Sequence, residues 1–124
     1  MNAILSIKPE YVQKIFDGTK KFEFRKVNFK HDINTIFIYA TFPISKIVGK
    51  FDVGDIILNN PKYVWNKTKE YSGISKDFFD LYFSGKQLAV AIEVIKPVQY
   101  AKPIDLAKFS PGATPPQSFI YVNN

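Results

Sequence analysis

The chain contains no cysteine and only one histidine, one tryptophan and one methionine. Without cysteine, disulfides and thiolate zinc sites are excluded, which fits a reducing, cytoplasmic setting. A Ser–His–Asp triad would have to be built on His31, which lies in a polar stretch between Lys30 and Asp32. It reads as a solvated loop residue. A zinc hydrolase needs three or four His, Cys or carboxylate ligands, and no such cluster stands out, so no metal and no cofactor are expected. No apolar run approaches the roughly 18 residues that would suggest a membrane span. The first residues, Met1 to Ser6, lack the basic flank and long apolar run of a signal peptide. Nor is there a glycine-rich phosphate loop, since Gly49 and Gly54 are separated by strand-like residues.

Acidic residues are also scarce. There are 11 against 17 basic ones, a net charge of +6. Residues 1–30 hold seven of the basic side chains and three of the acidic ones. A basic field gathered in one region favours anionic partners, nucleic acid first among them. A lysine-rich soluble surface is the plainer reading of the same charge. Hydrophobic residues make up 46% of the sequence, enough for one core, and 124 residues is the size of one domain, so residues 1–124 are read as a single unit.

Periodicity sets out the elements. Residues 3–7 are apolar and extended, and Pro9 suits the first position of a helix. Tyr11, Val12, Ile15 and Phe16 recur at helical spacing, and Gly18 suits a left-handed cap. Strand alternation then begins. Residues 27–34 read as loop, and strands follow over 35–41 and 44–53. Gly54-Asp55 is expected to turn the chain before a short continuation at 56–58. Asn60-Pro61 starts a helix that carries Trp65, and Ser75 caps another with a stripe of Phe78, Phe79, Tyr82 and Phe83. Residues 87–100 form the longest extended run, with Pro97 and Pro103 pushing its far end to a sheet edge. A loop over 108–116 precedes a last strand at 118–122. This pattern suggests an α+β fold, a small mixed β-barrel of five to six strands with about three helices. Pattern alone leaves a ferredoxin-like sandwich open.

The chemistry concentrates in Gly18-Thr19-Lys20-Lys21-Phe22-Glu23-Phe24-Arg25-Lys26. Phe22 and Phe24 share one strand face and read as core. Lys21, Glu23 and Arg25 share the other. Turned toward a cleft, that face offers a carboxylate acceptor and a guanidinium donor, which suits a nucleobase edge and its phosphate. Turned to solvent, it makes only cross-strand ion pairs. Lys20 has the opposite parity and can join the others only from the turn after the helix cap.

These residues carry a resemblance. Ser6-Ile7-Lys8-Pro9 and then Gly18-x-Lys20-x-x-Glu23-x-Arg25 resemble the signature of the ASCH domain family, in the PUA-like superfamily. The likeness extends to Ile38-Tyr39-Ala40, Val48-Gly49-Lys50-Phe51 and Pro115-Pro116-Gln117-Ser118-Phe119, nearly the whole chain. The resemblance implies a PUA-like barrel with a helix beside a basic cleft. It also implies binding of RNA or nucleotides, and a regulatory role in transcription or translation. Gly18 would be the turn, with Lys20, Glu23 and Arg25 lining the cleft. Lys21 and Tyr39 complete the expected ligand-binding set, with Trp65 and Tyr71 as further stacking candidates. One ASCH branch hydrolyses N-acetylated cytidine with a lysine, a threonine and a downstream glutamate. Here Glu23 stands at the threonine's place and Glu70 is the nearest further carboxylate. The first expectation is therefore an RNA- or nucleotide-binding protein. The alternative is a small hydrolase, an N-acetylcytidine amidohydrolase or a ribonuclease, with Lys20, Glu23 and Glu70 as its catalytic residues.

Overall fold

Alternating apolar residues and well-placed breakers build one curled sheet. The computed structural model describes all 124 residues. Strand β1 (Asn2–Ile7) leads through Lys8 into helix α1 (Pro9–Asp17), with Pro9 in the first turn and Gly18 closing it at φ 86°. Strand β2 (Phe22–Arg25) is short, and β3 (Thr35–Ala40) follows the loop. Strand β4 runs Lys46–Asn59. Helix α2 (Pro61–Thr68) is capped by Asn60, whose side chain accepts from the Tyr63 amide. A 3-10 turn, Lys69–Tyr71, leads to α3 (Lys76–Tyr82), capped by Ser75. Then come β5 (Ala89–Ile104), a one-turn helix α4 (Leu106–Phe109) and β6 (Phe119–Val122).

The six strands lie in the order β2-β5-β4-β3-β1-β6, a half-barrel in which only β1 and β3 run parallel. Its main core packs α1, through Val12 and Ile15, onto residues of β1, β3, β4 and β5 such as Leu5, Ile38, Phe51 and Ile92. Each large apolar side chain fully buried there contributes on the order of 2 kcal/mol. A second cluster, including Phe37, Ile47 and Leu106, lies under α4. The third sets Phe24, Ala89 and Ala91 against Val64, Phe79 and Phe83, so α2 and α3 cover the outer side of the β2–β5 end.

Three details differ from the expectation. Gly54-Asp55 does not turn the chain. A register shift between Val53 and Ile56 absorbs both residues inside β4, and the Asp55 amide is bound by the Glu93 carboxylate at 3.0 Å. A fourth helix, α4, precedes the final loop, and four residues are too few to leave a helical period in a sequence. Finally, β5 continues to Ile104. Its pairing with β2 stops at Glu93, so beyond that point β5 is an edge and accommodates Pro97 and Pro103.

Candidate functional site

The turn after α1 aims Lys20 inward. Gly18 reverses the chain, the Lys20 amide donates to the Lys14 carbonyl at 3.0 Å, and the Lys21 amide donates to Tyr71 at 2.8 Å. Regular pleating starts only at Phe22, so Lys20 and Glu23 both reach the inner side of β2. Lys20 is 1% exposed. Its ammonium donates to the Ser72 carbonyl at 2.6 Å and lies 3.7 Å from Glu23 Oε1. The Phe24 and Tyr11 ring centroids are 4.9 and 5.4 Å from its Nζ.

The chain of charges continues along the strand. Arg25 Nη2 donates to Glu23 Oε2 at 2.8 Å and to the Ser6 carbonyl at 2.9 Å. Arg25 Nε is buried and has no acceptor within the protein. A half-open cavity of about 320 Å³ lies in front of these groups. Ser6, Ile7 and Lys8 form one side, and Phe78 and Tyr82 of α3 form another. Tyr11, Thr41, Ile74 and Gln117 complete the wall. The volume is at the lower end of the roughly 300–1,000 Å³ of small-molecule sites.

Burial shapes the protonation of this site. Removal from water pushes the Lys20 ammonium below its ordinary value, and Lys14 and Arg25 add to that push. The opposing pull of Glu23 is smaller. Burial raises the Tyr11 hydroxyl, assisted by the charges of Glu10 and Glu23. Burial also raises Tyr82, with Arg25 acting against it. The cleft therefore holds a lysine whose ammonium gives up its proton more readily than in water, beside two tyrosines whose hydroxyls ionise less readily.

The structure brings Lys20, Glu23 and Arg25 together and leaves the other expected residues elsewhere. Lys21 is exposed and points away from the cleft, its ammonium 4.2 Å from the Tyr71 ring centroid. It lines a separate hollow with Phe22, Glu93 and Lys96. Tyr39 is 5% exposed and packs with Ile4, Phe37 and Ile47. Strand parity explains this, because Ile36 and Ile38 face the α1 side and Tyr39 takes the other face. Glu70 sits exposed in the 3-10 turn and lines no cavity. Trp65 packs on Phe79 at 5.0 Å as part of the third core cluster. His31 stands edge-on to Tyr121 at 4.8 Å, away from the cleft. No group of three or more His, Cys, Asp or Glu side chains is arranged to hold a metal ion.

Sequence reasoning missed Tyr11, Phe78 and Tyr82 as site residues. An aromatic at helical spacing reads as core, and each of these does pack partly against other rings. It also missed the Ser72–Gly73 backbone, because a carbonyl acceptor leaves no mark in a residue pattern. Ser6 and Gln117 lay in segments that carried the resemblance, without a role attached to them.

The model of the ASCH domain matches residues 5–98. The chain is 34% identical over 121 residues to the ATP synthase subunit alpha of Ureaplasma parvum, and 31% identical over 108 residues to that organism's large ribosomal subunit protein uL22. Those matches cover 96% and 86% of the chain but only 15% and 35% of the respective relatives. An ASCH domain-containing ribonuclease of Zymomonas mobilis is 27% identical over 124 residues, covering 97% of the chain and 83% of that protein. The crystal structure of ASCH from Zymomonas mobilis superposes with a TM-score of 0.90 at 25% identity, over 98% of this chain and 87% of that one.

Proposed function

Because this chain belongs to the ASCH domain family, we propose that it binds RNA, seating one nucleotide in the cleft in front of Lys20, Glu23 and Arg25. The observation that carries this reading is the buried Lys20–Glu23–Arg25 relay opening onto an aromatic-lined cavity. Arg25 keeps an unused Nε donor, and Glu23 offers an acceptor to an exocyclic amine of a base. Tyr11 supplies a ring for the seated base. Relationship to a protein named as a ribonuclease supports RNA over a free metabolite. A regulatory role would follow from this binding, with residues 1–124 acting as one domain around a single sheet. No helix is long and apolar enough to cross a membrane.

A second reading is favoured by the lowered pKa of Lys20. As a neutral amine, Lys20 would take the proton of a ribose 2′-hydroxyl. The freed oxygen would attack the adjacent phosphorus, and the 5′-oxygen would leave with a proton from a tyrosine hydroxyl in the cleft. Arg25 would meet the charge that develops on the phosphate. This ribonuclease reading stands ahead of the amidase one, which calls for a threonine where Glu23 lies and for a further glutamate that Glu70, on the surface, does not supply.

Binding of a short fluorescent RNA, measured across a salt series, tests the first reading. Micromolar or tighter binding that weakens with salt is expected. Absence of binding at low salt, or binding with no salt slope, overturns it. Incubation of the same RNA with wild type and with folded Lys20→Ala tests the second. Cleavage by wild type that the variant lacks supports it, and intact RNA in both removes it.

A further inference from the structure

The α3 wall of the cleft carries rings that a base seated against Tyr11 leaves free. Phe78 and Tyr82 lie one turn apart with near-parallel rings, 11° between planes and 6.4 Å between centroids. Tyr11 continues the row inward, edge-on to Phe78 at 6.0 Å. A lysine lies over each outer ring. Lys8 Nζ is 5.9 Å from the Phe78 centroid, and Lys26 Nζ is 4.6 Å from that of Tyr82. Both lysines are exposed, and Phe78 itself is 37% exposed. They belong to different segments, one before α1 and the other after β2, so the fold converges on this face from three directions.

An exposed lysine over an aromatic face is a weak contact. A nucleobase stacked on the same face is held more strongly, and the displaced ammonium is then free to meet a phosphate. The rings and lysines therefore supply together the two things that a single strand presents, a base face and a backbone charge. We propose that Phe78 and Tyr82, with Lys8 and Lys26, form a stacking subsite for the nucleotides flanking the one in the cleft. The ligand is then an oligonucleotide with unpaired bases, since paired bases in a duplex are not free to stack on protein rings. This inference rests on the RNA-binding reading above and extends it from one nucleotide to several.

The test compares a mononucleotide, a trinucleotide and a hexanucleotide of one sequence, and a hexanucleotide duplex, by titration against wild type, Phe78→Leu and the double variant Lys8→Gln/Lys26→Gln. For wild type, the trinucleotide is expected to bind at least about tenfold more tightly than the mononucleotide, and the duplex more weakly than the single strand. Phe78→Leu keeps apolar volume but removes the ring, and should abolish most of the gain with length. The two lysine changes lie on the surface and leave the core intact. They should flatten the salt dependence for the trinucleotide by roughly 0.7 log units per log unit of salt for each lysine that meets a phosphate. Equal affinity for one and three nucleotides, or an unchanged length dependence in both variants, overturns the subsite while leaving the cleft reading intact. Failure of wild type to bind any of these ligands overturns the cleft reading itself. Concentration-dependent self-association that Phe78→Leu abolishes, with no length effect, would make this face a protein contact and also overturn the proposal.

Discussion

Lys20 donates its ammonium to the Ser72 carbonyl at 2.6 Å, across 52 positions of sequence. The Ser72–Gly73 segment between the 3-10 turn and α3 thus acts as the far wall of the Lys20 site. Lys14 reaches the same segment from α1, its Nζ 3.0 Å from the Gly73 carbonyl. A β-carbon at Gly73 would stand 2.6 Å from Cβ and Cγ of Lys20 and 2.7 Å from its Cδ. The absence of a side chain at Gly73 and the stem of Lys20 are two halves of one packing arrangement.

Substitution at Gly73 should therefore be more damaging than substitution at Gly18. Both have positive φ, 69° and 86°, but the space beside Gly18 is open. Gly18→Ala is expected to lose about 1 kcal/mol, from backbone strain alone. Gly73→Ala adds a collision with a buried stem and should lose roughly 2–4 kcal/mol. Urea unfolding of the two variants checks the order, and equal losses would show that Lys20 yields easily.

Stability should depend on pH in the alkaline range through Lys20, Tyr11 and Tyr82. Lys20 is lowered from 10.5 on folding, so between its folded and ordinary values the unfolded chain binds more protons. Stability contributed by this group therefore rises as pH climbs through that window. The tyrosines are raised from 10.0, so above that pH the folded state holds more protons, and their contribution is lost as pH rises further. Lys20→Met should remove the rising limb, and Tyr11→Phe with Tyr82→Phe should shrink the falling one. Melting curves collected from neutral to alkaline pH measure both limbs. An unchanged rise in Lys20→Met would assign it to another group.

Glu23 is the hinge of the charge relay, touching Lys20 on one side and Arg25 on the other. Glu23→Gln keeps the shape but leaves two cations facing each other near the core. A loss of about 2–3 kcal/mol is expected, since breaking a mostly buried pair strands a charge. Loss of the carboxylate should also narrow the difference in affinity between RNAs whose bases carry an exocyclic amine and those rich in uracil. Parallel unfolding and binding measurements separate the two effects, and preserved base preference would exclude Glu23 from base contact.

Tyr39→Phe and Glu70→Gln serve as contrasts. Tyr39 packs in the second cluster on the face away from the cleft, and Glu70 is on the surface. RNA affinity should be unchanged in both, as read by the same anisotropy titration. A tenfold loss in either variant would mean that the ligand extends beyond the cleft and the α3 wall.

These contrasts also mark what the residue pattern could reveal. Turn and cap chemistry located α1, Gly18, Asn60 and Ser75 because each acts through its own neighbours in sequence. Parity put Glu23 and Arg25 on one face for the same reason. Tyr39 escaped this logic because both faces of β3 are buried, so its pattern does not say which face meets the cleft. Lys21 failed because alternation was extended one residue beyond the start of pleating at Phe22. Tyr82 and Ser72 enter the site only through long-range packing of α3 and its preceding loop. No local period records that packing.

One consequence of the strand order concerns the history of the molecule in time. β1 lies between β3 and β6, and the Ser6 hydroxyl donates to the Pro116 carbonyl 110 positions away. As the chain emerges during synthesis, the first strand has no partner on one edge until the last strand appears. Pairing between strands so far apart in sequence forms slowly. Gln117, which lines the cleft, arrives in the same final step. A nascent chain would therefore complete most of its core well before the cleft wall at Gln117 is in place, with an open β1 edge vulnerable to mispairing until residues 119–122 dock.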